Sequence, residues 1–178
     1  MKIKKTVLVA LFVILSLALF STVAFAYTLL PYKWQGSTPI YLTYKHSSFT
    51  NTGNSGINAF NSALNDWNSC QSKIVLTFSS ASSNTLDDYS LYSTSEYGRC
   101  DYAYNGTAMV WFHAFVNGGN THIYESNVMR SAACHELGHG GATLNESIAS
   151  CLMFGGRDRH YLYNPVQDDI AGINAQYP

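Results

Sequence analysis

Apolar residues recur along the chain with two periods, and each period marks an element. Ile40-Tyr41-Leu42-Thr43-Tyr44 is rich in β-branched and aromatic residues and predicts a strand. Ile57, Phe60, Leu64 and Trp67 follow the turn cluster Gly53–Gly56 at helical spacing, so they form one apolar stripe. Ile74 to Phe78 alternates apolar and polar positions and predicts a second strand. A polar loop spans 79–84, and the pattern to Asn105 is weak. Met109 to Phe115 predicts a third strand. The turn Asn117-Gly118-Gly119-Asn120 leads to a short edge strand at Ile123-Tyr124. A helix is expected from about Val128 with Asn127 as its N-cap, and another over Gln167–Gln176, with Ile170 and Ile173 on one face. This order suits an α/β or α+β layer fold.

The N-terminus follows a different rule. Lys2, Lys4 and Lys5 precede an apolar run from Val7 to about Phe20, and Ala24-Phe25-Ala26 follows. Basic, apolar and small-residue regions in that order read as a secretory signal peptide over 1–26, leaving 27–178 as a single domain. The whole chain of 178 residues carries 10 basic and 11 acidic residues. Removing the leader takes three lysines and leaves 152 residues with seven basic against eleven acidic, a net charge of −4. That balance lacks the basic surplus a nucleic-acid partner requires. With 47% hydrophobic and only 12% charged residues, neither disorder nor a polytopic membrane protein fits. The expected product is a secreted, extracellular monomer with no membrane association after cleavage.

Secretion also gives the cysteines a meaning. Cys70, Cys100, Cys134 and Cys151 all lie beyond the leader, and an even number outside the cell favours disulfides. Pairing sequence neighbours, Cys70–Cys100 and Cys134–Cys151, closes the shortest loops of the three connectivities and is the expected framework.

The chemically informative stretch is Cys134-His135-Glu136-Leu137-Gly138-His139. Histidines four apart share a helix face, so both imidazoles can reach one zinc ion. Glu136, beside the first ligand, is placed to act as the general base of a hydrolysis. This stretch resembles the metzincin metallopeptidases, whose signature is H-E-x-x-H-x-x-G-x-x-H followed by a methionine-containing turn. Cys151-Leu152-Met153-Phe154 looks like that Met-turn, with Met153 as the hydrophobic floor. Gln167 to Asn174 is similar to the final helix of matrixins, and Tyr32-Lys33-Trp34 before a strand looks like the entry to a matrixin catalytic domain. The likeness is to the small secreted bacterial type. It implies a metzincin-like fold, a twisted mixed sheet with two main helices, a zinc helix, the Met-turn and a C-terminal helix, and a zinc metalloendopeptidase with a protein or peptide substrate.

Two positions depart from the pattern. Ala142 stands where the elbow glycine belongs, with Gly140 and Gly141 just upstream as a place to relocate the turn. Asn145 stands at the third ligand position, where an amide oxygen replaces imidazole; Glu146 is its rival as a carboxylate ligand and His160 a further option. A weaker echo links His113 and His122 to a matrixin segment that binds structural zinc, but only Asp101 lies near to complete it; no second zinc or calcium site is assigned. Tyr161 or Tyr163 is a candidate oxyanion donor. The alternative from another class is a catalytically impaired protein of the same fold that serves as a secreted binding module.

Overall fold

The computed structural model describes residues 27–148 and 150–178. The expected leader, 1–26, lies outside them. Among the described residues no helix is long and apolar enough to cross a membrane.

A five-stranded twisted mixed sheet has the order β3-β2-β4-β6-β5. Its strands are β2 (Ile40–His46), β3 (Ile74–Phe78), β4 (Thr85–Tyr89), β5 (Gly98–Asn105) and β6 (Ala108–Asn117). The pairs β2–β3, β2–β4 and β4–β6 are parallel, and β5 closes one edge antiparallel to β6. Helices α1 (Asn54–Cys70) and α2 (Val128–Gly140) pack against each other and on the sheet, and α3 (Gln167–Gln176) ends the chain. A separate short ladder joins β1 (Thr28–Leu29) to β7 (Leu144–Asn145), in antiparallel register Thr28 with Asn145. The mixed α/β class expected from the pattern is what forms.

The apolar stripe of α1 explains the central packing. Phe60, Ala63, Leu64 and Trp67 are buried against Ala132, Ala133 and Leu137 of α2 and against Leu86, Phe112 and Ala114 of the sheet. Each large buried side chain contributes roughly 1.5–3 kcal/mol relative to exposure. The start of α1 has no side-chain cap of its own. Instead Asp88, inside β4, accepts from the amides of Asn51 and Thr52 and from both their side chains. Burial disfavours the Asp88 carboxylate, yet those donors outweigh it and hold its carboxyl below the usual range.

Two tryptophans anchor the backbone of α2. The Trp67 indole donates to the Cys134 carbonyl at 2.9 Å, and Trp34 to the Gly140 carbonyl at 2.9 Å. A Cβ on Gly138 would collide with the Met153 sulfur, so glycine there lets the methionine lie directly against the helix between the two histidines.

Several expectations change. Ile123 and Tyr124 form no strand; they lie in turns, and Ile123 is a fully buried plug. Asn127 is the N-cap residue of α2 in a left-handed conformation, but its side chain donates to the His160 carbonyl rather than capping. The elbow after α2 is neither at Ala142 nor at Gly140–Gly141. Thr143 takes the left-handed turn, with φ +55°. That conformation costs roughly 1–2 kcal/mol outside glycine. Here it is held by hydrogen bonds of the Thr143 hydroxyl to the Ala142 carbonyl and the Tyr177 hydroxyl, both 2.8 Å.

The expected disulfides are absent, and all four cysteines are free thiols. Cys70 ends α1 on the side of Cys134, sharing Asp66 and Asp169 as charged neighbours, whereas Cys100 sits on edge strand β5 beside Glu136. Pairing by shortest loop therefore joined opposite sides of α2. Cys134 and Cys151 are both buried, but the Cys151 thiol engages Ser147 instead.

Candidate metal centre

Helical spacing brings His135 and His139 onto one face of α2, with ring centroids 4.7 Å apart and planes nearly perpendicular. Their Nε2 atoms lie 3.2 Å from each other. The Glu146 Oε1 completes the group, 2.9 Å from His135 Nε2 and 3.4 Å from His139 Nε2. Among the described residues, this is the group of three or more potential metal ligands whose donor atoms converge within 4.8 Å. The rival donor thus stands at the imidazoles. Asn145 lines the same cleft, but its side-chain oxygen accepts from the Glu146 amide at 2.9 Å. Pairing of β7 with β1 sets this arrangement, since Asn145 is in the ladder and Glu146 is the first residue released from it.

The donor set fits a zinc ion. Two ligands each about 2.0–2.1 Å from one tetrahedral zinc stand about 3.3–3.4 Å apart. The three observed separations run from 2.9 to 3.4 Å. Each imidazole is oriented from behind: His135 Nδ1 lies 2.9 Å from the Leu152 carbonyl and His139 Nδ1 2.9 Å from that of Leu144. Donation to those carbonyls leaves both Nε2 lone pairs bare, the form a metal ion requires. Arg157 Nη1, 3.0 Å from His135 Nδ1, makes the opposite demand on that nitrogen. A divalent ion on Nε2 would decide the competition for the Leu152 carbonyl.

Electrostatics agree with the geometry. Burial pushes His135 down to about 4, against the pull of Glu146 and helped by the charges of Arg157 and His139. Burial also opposes charge on His139, but Glu146, Glu136 and the Leu144 carbonyl outweigh it and raise that group. Glu146 is half-exposed; desolvation of its covered part works against its charge, but its closeness to both imidazoles more than offsets this and holds it well below the usual carboxylate range. Glu136 is enclosed, 6% exposed, and burial lifts it to about 7 against the charges of His139 and Arg157. A carboxyl poised near neutrality beside a metal site is suited to taking and returning a proton.

The loop below the site is held by a residue of the C-terminal helix to which the sequence pattern assigns no role. Asp169, 1% exposed in α3, accepts from the Leu152 and Met153 amides at 3.0 and 3.1 Å and from Val166 at 2.8 Å. It thereby fixes the carbonyl that orients His135. Arg157 is the other unforeseen residue. The remaining candidates lie elsewhere. His160 pairs with Glu125 at 3.1 Å, as does His122 at 2.6 Å. His113 sits against Trp111 on β6. Tyr161 is exposed and Tyr163 stacks under Arg130, so neither lines the cleft.

The cleft itself runs along β5. Gly98 approaches Glu136 so closely that a Cβ would touch its carboxylate at 3.0 Å. Two depressions share Gly98, His135, Glu136 and Glu146, one continuing past Arg99 and Tyr102, the other toward Gly155 and Arg159. The chain matches no protein-family model and no curated protein sequence.

Proposed function

We propose that the chain is a secreted zinc metalloendopeptidase of matrixin-like type, with His135, His139 and Glu146 holding the metal and Glu136 as general base. The observation that carries this reading is the convergence of three donors of zinc-binding type on one point beside a buried carboxyl raised to about 7. A purely structural metal site has no need of that base. The exposed edge of β5 supports it further, because an extended peptide can pair with an unpartnered strand edge and lie across the site.

Zinc, when bound, supplies a Lewis acid that polarises the scissile carbonyl and makes water more acidic. Glu136 accepts a proton from the attacking water as its oxygen bonds to the carbonyl carbon. It then gives that proton to the amide nitrogen as the C–N bond breaks. Burial keeps bulk water from the Glu136 carboxyl, and Asp169 holds the backbone whose Leu152 carbonyl keeps His135 from tilting. The leader over 1–26 is the basis for secretion.

The test is zinc content per chain with a casein assay, with and without a chelator, for the native protein and Glu136→Ala. About one zinc per chain is expected. Cleavage should be abolished by the chelator and reduced on the order of a hundredfold or more in the variant, with its zinc retained. Zinc-loaded protein without chelator-sensitive cleavage would leave the binding-module reading in its place.

A further inference from the structure

One arm of the cleft, a pocket of about 310 Å³ beside His135 and Glu136, is walled by two arginines from the segment after the Met-turn. Arg157 is 5% exposed and spends its donors on neutral acceptors, the Ser131 hydroxyl and carbonyl and the Phe154 carbonyl, while its Nη1 lies against the His135 ring. Arg159 lies across the Tyr97 ring at 3.9 Å and donates to the Gly155 carbonyl at 2.9 Å, and its Nε is buried without an acceptor. Among the described residues, no ion pair joins either guanidinium to a carboxylate. Three carboxylates do share the pocket wall, but each is engaged elsewhere. Glu146 faces the histidines, Glu136 is the proposed base, and Glu96 accepts from the Tyr89 hydroxyl.

Two neighbouring guanidiniums, one buried and one half-buried, that feel Glu136 and Glu146 but form an ion pair with neither carry a desolvation cost that a bound anion would relieve. A guanidinium offers a planar fork matched to a carboxylate, and Tyr97 holds that of Arg159 in place. Given the peptide substrate argued above, we propose that this pocket is an anionic subsite, receiving a substrate carboxylate next to the scissile bond, with Arg159 as its principal contact and Arg157 behind it. The carboxylate belongs either to an aspartate or glutamate side chain or to the end of the substrate chain.

Arg157 makes three hydrogen bonds to Ser131 and Phe154 inside the protein, so its replacement would test folding, and Arg159 carries the experiment instead. Zinc-loaded protein is given blocked peptides in which one glutamate, or its isostere glutamine, is walked across the cleaved bond. The expected preference for glutamate at one adjacent position is about tenfold in kcat/KM. Arg159→Gln should bring that ratio to within about twofold, and Arg159→Glu should turn it toward lysine. Peptides ending in a free acid or an amide separate the two sources of carboxylate. Binding of the same labelled peptides to Glu136→Gln protein, followed by fluorescence anisotropy, gives a readout independent of turnover. Arg159-dependent preference in binding without cleavage would keep the subsite and remove the peptidase reading. Equal treatment of glutamate, glutamine and free acid in both assays would overturn the subsite, whatever the activity.

Discussion

Among the described residues, two clusters each combine two histidines with one glutamate, and they differ in everything except composition. In His135–His139–Glu146 both imidazoles approach the same carboxylate oxygen, and their side chains are 7% and 14% exposed. In His122–Glu125–His160 each histidine takes a different oxygen of Glu125, and all three side chains are nearly half exposed. The first cluster has main-chain carbonyls behind both rings and a helix fixing their spacing. The second is assembled from turns, and its donors do not converge. Ligand identity is therefore a weak criterion for a metal site; convergence and support from behind distinguish the two.

Removing donors should break this contrast most sharply. His139→Ala and Glu146→Gln are expected to weaken zinc binding by at least about a hundredfold, measured by competition with a chromophoric chelator. His160→Ala should leave it unchanged. Equal losses from both clusters would show that the convergent group is not the metal centre.

A smaller effect should come from the support alone. Asp169→Asn leaves every ligand in place but loosens the Leu152 and Met153 amides, and so the carbonyl behind His135. Zinc affinity is expected to fall about tenfold, and stability by about 1–3 kcal/mol in a denaturant titration. An Asp169→Asn protein of lower stability but native zinc affinity would mean that the Met-turn is positioned by packing alone.

The smallest effect belongs to the exposed trio. Glu125→Gln is expected to change neither the melting temperature nor zinc affinity beyond experimental error, since water screens a surface pair and replaces it readily. A clear drop in melting temperature would assign the trio a structural role that its exposure does not suggest.

The legible parts of this protein were those whose pattern is local. The α1 stripe, the His135–His139 spacing and the 167–176 helix depend on residues a turn or two apart, and all three form as expected. Strand β4 was invisible because Thr85-Leu86-Asp87-Asp88-Tyr89 places two acids in the interior of a sheet. Asp88 is tolerated there only because the entry to α1 supplies its donors. Strand β5 escaped notice because an edge strand beside a cleft has no face that must be apolar throughout. The cysteine pairing misled because loop length says nothing about which side of α2 a residue occupies.

By itself, then, the sequence determined that two imidazoles and a glutamate would share one helix, because 3.6 residues per turn leaves no other outcome once the helix forms. It left open which later residue would meet them. Asn145 and Glu146 are adjacent and both can donate oxygen, so no periodicity chooses between them. The choice belongs to contacts that no local period encodes: β1 pairs with β7 across more than a hundred residues, Gln176 and Tyr177 hold the Thr143 turn, and Asp169 holds the floor. Those contacts carry Glu146 to the histidines and turn Arg157 and Arg159 to the same cleft, since only the closed fold decides which side chains meet.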